Sequence, residues 1–132
     1  MIAVDTNVLI RLFVNDDERQ HNAATLFFAA RSREDPAFVG VTCAVEFIWV
    51  LTRSYKQSQA SALALLRRVV TSEDAVVERI VEVREAIEIA LEKGADFSDV
   101  MIVLAAQREG ASSVVTFDRP AARDVPGMEL LK

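Results

Sequence analysis

The stretch Ile2-Ala3-Val4-Asp5-Thr6-Asn7-Val8-Leu9-Ile10-Arg11-Leu12-Phe13 decides the fold. Ile2-Ala3-Val4 is a short apolar run that stops at an acid, the pattern of a first strand buried on both faces. Over residues 7–14 the apolar side chains Val8, Leu9, Leu12 and Phe13 recur at helical spacing. A buried strand running directly into a helix is the opening unit of an α/β fold, and Asp5 stands at the junction.

The same grammar repeats downstream. Asn15-Asp16-Asp17 is turn chemistry. Residues 18–32 read as a helix with Ala23, Leu26, Phe27 and Ala30 on one face, followed by a loop over 33–36. A second strand is expected over 38–41, with Thr42 as the N-cap of a helix over 43–55. Ala44, Phe47, Ile48 and Leu51 form the buried stripe of that helix, and Glu46 falls near its first turn. Residues 57–71 make another helix with Ala60, Leu63, Leu66 and Val70 inward. Ala75-Val76-Val77 is a strand, and the helix over 79–93 ends at Gly94, a good residue for a left-handed helix stop. The next helix spans 96–109 and ends at Gly110. A β-rich run over 113–117 stops at Asp118, Pro120 and Pro126 mark an irregular segment, and 128–131 is a short last strand. There is no internal repeat, linker or low-complexity tract. Strands alternating with helices predict a mostly parallel sheet covered on both faces.

Four acids fall at predicted strand ends or helix starts: Asp5, Glu46, Asp99 and Asp118. Asp96 lies one turn before Asp99. Strand ends and the helix starts beside them gather on one edge of an α/β sheet. Carboxylates converging there repel one another unless a cation sits between them. Hard divalent cations such as magnesium take oxygen ligands of this kind. The pattern predicts a metal-dependent site, with phosphoryl chemistry as the first reading.

Each acid also has a local explanation. Asp5 is a candidate helix cap, although Thr6 or Asn7 would serve equally. A glutamate early in a helix suits the dipole without any further role, yet Glu46 has Trp49 and Val50 at i+3 and i+4. Asp96 is a natural N-cap, and Asp99 then occupies the favourable first turn. Asp118-Arg119-Pro120 reads as an ordinary turn. The shared placement of these acids carries the joint reading, not any one of them.

Composition bounds the rest. With 132 residues, 52% of them hydrophobic, the chain is long enough for one folded globular domain with a core. No apolar run is long enough to span a bilayer, and the N-terminus lacks the features of a secretion signal. The single cysteine, Cys43, permits no internal disulfide and fits a reducing cytoplasm. It is read as a buried bystander. The net charge of −5 argues against a broad nucleic-acid coat but not against a nuclease, whose carboxylate site is itself negative. Arg53 with Lys56 and Arg67 with Arg68 are basic clusters that also suit solvated helix surface. One histidine, His21, and one cysteine do not make a zinc site, and no glycine-rich phosphate loop is present.

The opening Val4-Asp5-Thr6-Asn7-Val8-Leu9-Ile10-Arg11-Leu12-Phe13 resembles the first motif of PIN-domain ribonucleases, above all the VapC toxins of bacterial toxin–antitoxin pairs. Three further motifs match in order. Val45-Glu46-Phe47 with Trp49-Val50-Leu51 is similar to the family's glutamate helix. Asp96-Phe97-Ser98-Asp99-Val100-Met101-Ile102 is similar to its third acidic motif, and Val115-Thr116-Phe117-Asp118-Arg119 to its fourth. The resemblance implies a three-layer α/β/α domain with a central mostly parallel sheet. It implies magnesium or manganese at the acidic cluster, hydrolysis of RNA, a homodimer and a VapB-type antitoxin partner. By position it implies Asp5, Glu46, Asp99 and Asp118 as the catalytic and metal-site acids, with Asp96 secondary. Thr6, Asn7 and Thr116 match polar residues that hold the acidic loops in shape.

Other readings stay open on the residues alone. A magnesium-dependent phosphatase with an aspartyl nucleophile also places an acid such as Asp5 after a first strand, but it wants a second aspartate where this chain has Asn7. A receiver-like phosphoacceptor module wants a lysine where Arg119 follows Asp118. A catalytically dead binding member is a third alternative. Arg119 is placed either to contact phosphate or to serve as surface. Phe28, Trp49 and Leu65 are apolar residues that one small core need not bury, and exposed together they would make a groove for a partner's amphipathic helix.

Overall fold

A computed structural model describes residues 1–132. The chain forms two compact units, Met1–Ile80 and Val81–Lys132. Both are α/β, with seven helices and parallel strand pairing throughout.

In the first unit, β1 (Ile2–Ala3), β2 (Ala37–Val39) and β3 (Ala75–Val77) pair in the order β1-β2-β3, all parallel. Parallel neighbours need crossover connections, and helices supply them. The first crossover carries α1 (Thr6–Phe13) and α2 (Glu18–Ala29), and the second carries α3 (Val41–Arg53) and α4 (Gln59–Thr71). The predicted α3 stripe holds: Ala44, Phe47, Ile48 and Leu51 are all buried. Phe13 meets the Phe47 ring edge-on, with centroids 5.8 Å apart.

Four local expectations fail here. β1 is not buried on both faces, because it is the outer strand of its sheet and Ile2 is 46% exposed. The expected α2 face is also wrong. Leu26 is 71% exposed, and the buried side is instead marked by Ala24. On α4, Ala60 is exposed while Ala62, Leu63, Leu66, Val69 and Val70 are buried. Thr42 does not cap α3. That helix starts at Val41 with Gly40 in the cap position and no cap from its own strand–helix junction. The carboxylate of Glu78, just past β3, accepts from the Val41 N–H at 2.8 Å. This supplies the missing acceptor at a positive helix end. The earlier start puts Glu46 in the second turn of α3 rather than near its first.

The second unit contains α5 (Ile80–Lys93), whose first residue closes the first unit, then α6 (Phe97–Arg108), β4 (Val114–Thr116), α7 (Arg119–Asp124) and β5 (Met128–Leu130). Val83, Ile87, Phe97 and Val100 are buried. Arg108 grips both carboxylate oxygens of Glu82 at 2.7 Å, tying α6 to α5. β4 and β5 pair in parallel with Val114 opposite Met128. The segment expected to be irregular is the crossover helix α7. Pro120 falls in its first turn, where a missing N–H costs nothing. No helix is long and apolar enough to cross a membrane.

Candidate functional site

Asp5 occupies the N-cap position of α1, yet its side chain accepts no cap hydrogen bond. The helix start is served by its backbone carbonyl, which accepts from Val8 N at 3.1 Å and Leu9 N at 3.3 Å. Capping therefore does not explain this carboxylate, which is exposed. Thr6, next in line, is buried.

Glu46 projects from α3 as an exposed acid with exposed Trp49 one turn on. The structure brings Asp5 and Glu46 to a common neighbour. Burial pushes the Cys43 thiol up, the Thr6 hydroxyl acts against that shift, and the charges of Asp5 and Glu46 add to it. Cys43 is buried, as expected.

In the second unit Asp96 caps α6, its Oδ1 accepting from Asp99 N at 3.1 Å and from the Ser98 hydroxyl at 2.6 Å. Asp99 is half-buried in the first turn. Burial holds its carboxyl above the ordinary aspartate value, and the charges of Asp96 and Asp118 push the same way. Asp118 is not a simple turn residue. It caps α7, with Oδ1 accepting from Ala121 N at 3.0 Å. Thr116 Oγ1 accepts from Asp118 N at 3.0 Å and fixes the approach to that acid. Asp96, Asp99 and Asp118 thus form one electrostatic group.

Neither pair nor group is neutralised by the protein. Asp5, Glu46, Asp99 and Asp118 take part in none of the ion pairs of the chain. Their hard oxygen donors suit a divalent cation, whose charge would offset the like-charge repulsion that adds to burial in raising Asp99. No three acidic, histidine or cysteine side chains in either unit are gathered as a ready cage.

Sequence reasoning missed one polar network beside this region. Arg11 of α1 donates to Asp16 at 2.5 Å, to the Tyr55 hydroxyl at 2.6 Å and to Gln20 at 2.8 Å. Tyr55 in turn donates to Asp16 at 2.9 Å. Tyr55 is 44 residues from Arg11, so no local pattern announces the contact. The expected partner groove is only partly formed. Trp49 is exposed, whereas Phe28 is half-buried in a cleft of about 430 Å³ with Phe13 and Arg68, and neither Trp49 nor Leu65 lines it.

The PIN domain family model matches residues 2–125. A VapC ribonuclease of Aquifex aeolicus (strain VF5) is 24% identical over 119 residues, covering 90% of this chain and 88% of that protein.

Proposed function

The chain belongs to the PIN-domain family, and from that premise we propose that it is a metal-dependent endoribonuclease and the toxin of a toxin–antitoxin pair. The observation that carries the reading is electrostatic. Asp99 is pushed toward its neutral form by burial and by Asp96 and Asp118, with no basic side chain paired to any of them. Such an arrangement stabilises little by itself and suits a site that holds a cation. The similarity to a VapC ribonuclease supports RNA as the substrate.

Asp5, Glu46, Asp99 and Asp118 are the acids proposed to hold magnesium or manganese. Asp96 is secondary to them. When bound, the cation supplies an acidified water and offsets charge on the phosphodiester. The protein's part is to present oxygen donors in fixed positions. Asp96 sets the start of α6 and so the position of Asp99, while Thr116 steadies the backbone at Asp118. Buried Thr6 anchors the turn that offers Asp5, and Asn7 borders it. No side-chain nucleophile is required. This separates the reading from a phosphatase or receiver-like module, either of which would yield a trapped phosphoenzyme.

The same reading includes a VapB-type antitoxin that silences the site, a homodimer, and action in the cytoplasm where RNA is met. A basic side chain, most simply an arginine, would satisfy unpaired carboxylates with two parallel hydrogen bonds. The direct test is cleavage of single-stranded RNA by the purified chain and by Asp5→Asn, Glu46→Gln, Asp99→Asn and Asp118→Asn. Each substitution is expected to lower the rate at least about a hundredfold with the fold intact. Wild-type rates in all four would remove the acids from the mechanism.

A further inference from the structure

Beside Asp5 the first unit holds a cleft of about 570 Å³. Its walls are mostly apolar, built from Val4, Val8, Ala24 and Phe27, and Asp5, Asn7, Arg11 and Gln20 add polar groups. This is a small-molecule-sized recess with few polar groups, the ordinary form of a ligand site.

The hydrogen bonds around it narrow the ligand. Arg11 is already committed to Asp16, Tyr55 and Gln20, and its side chain is only 21% exposed. Asp16 matches its charge, so the cleft offers no uncommitted cation to a phosphate or an acidic peptide. A neutral ring with a polar edge suits it better. Arg11 Nε donates to Gln20 Oε1 at 2.8 Å. A guanidinium has only donors, so the Gln20 atom facing it must be the amide oxygen. That bond fixes the amide: its oxygen is used and its NH₂ is left to donate. A donor aimed at the O6 edge of guanine or the O4 edge of uracil is accepted there. At the same ring position adenine and cytosine carry an exocyclic amine, which would set donor against donor.

We propose that this cleft receives an unstacked nucleobase next to the scissile phosphate, and that Gln20 selects a keto base. Single-stranded RNA presents bases in this splayed form, read on their polar edges. The inference rests on the ribonuclease reading, which makes Asp5 part of the cutting site.

The test is a binding titration in chelator, so that no cleavage occurs. Isotopically labelled full-length chain is titrated with the dinucleoside monophosphates ApA, CpC, GpG and UpU. The side-chain amides of Gln20 and Asn7 and the backbone amide of Ala24 are followed by NMR. GpG and UpU are expected to shift these signals and to bind about fivefold tighter than ApA and CpC, the scale of one hydrogen bond. Gln20→Leu should erase that difference. Gln20→Glu, which keeps the acceptor for Arg11 but loses the NH₂ donors, should erase it too and covers the case in which the leucine variant misfolds. Equal responses to all four compounds, no response at the cleft, or a keto preference that survives both variants would overturn the subsite. So would shifts produced only by an apolar helical peptide, which would mark a protein-docking groove. Because metal is absent, failure here leaves RNA cleavage unaffected. Keto selectivity in a chain that cuts no RNA would sink the nuclease reading alone.

Discussion

The Oδ1 atom of Asp96 accepts the backbone N–H of Asp99 at 3.1 Å. One acid therefore fixes the helix start from which the other is presented, and the two have separable roles. Asp96→Ala should cost about 1 kcal/mol of stability, the usual worth of an N-cap, while Asp96→Asn should cost little because asparagine also caps well. Denaturant melts of both variants check this. In cleavage assays Asp96→Asn should be much milder than Asp99→Asn, and the reverse order would exchange the two assignments.

Burial and the charges of Asp96 and Asp118 raise the Asp99 carboxyl above its ordinary value. The proton is thus bound more tightly in the folded chain than in the unfolded one. The resulting stability is fully present below the unfolded value of about 3.9 and is lost as pH rises through the higher folded value. Ionised Asp99 therefore weakens the metal-free protein at neutral pH. Asp99→Asn should raise the metal-free Tm near neutrality, with the gain shrinking toward about pH 3. Thermal melts in chelator across that range check the sign, and a gain that grew toward acid would contradict it.

Gly127 has φ +93, and an added Cβ would lie 2.7 Å from Val103 Cγ1. Gly127→Ala should combine backbone strain with overpacking and cost about 2–4 kcal/mol. Gly94 also has positive φ, at +66, but open space around it. Gly94→Ala should cost only about 1 kcal/mol, the backbone part alone. Equal losses in chemical denaturation would show that Val103 yields freely.

In the toxin reading, expression of the chain alone should slow growth of its host, and Asp5→Asn should relieve the effect. A small partner protein should bind the chain and suppress its cleavage of RNA. Wild-type expression with no growth defect, together with no copurifying partner, would remove the toxin assignment and leave the PIN family intact.

What the sequence disclosed follows from how local each signal is. The α3 stripe of Ala44, Phe47, Ile48 and Leu51 was legible because one helix face is apolar and the other is not. In α2 the apolar residues are spread around the helix, so Leu26 was read inward although it faces out. Pro120 was read as a breaker because proline disrupts helix interiors, but it lies in a first turn that Asp118 caps. The true cap of α3 comes from Glu78, 37 residues beyond Val41, and the bond from Arg11 to Tyr55 spans 44. Contacts of that range leave no periodicity to read. The helix starts at Asp5 and Asp96 and the strand end before Asp118 were legible from local pattern, whereas Glu46 lies a turn deeper in α3 than its expected cap implied. That Asp5 leaves its side chain out of the cap, while Asp96 and Asp118 use theirs, required coordinates.

The central claim is that carboxylates of this chain act through a divalent cation on RNA. The most direct measurement is the rate of single-stranded RNA cleavage by the purified protein as magnesium or manganese is added and then withdrawn with EDTA, with Asp5→Asn in parallel. Cleavage should appear with the metal, stop on chelation, return on re-addition and be lost in Asp5→Asn. Cleavage that persists through exhaustive chelation, or that Asp5→Asn performs at the wild-type rate, would contradict the account.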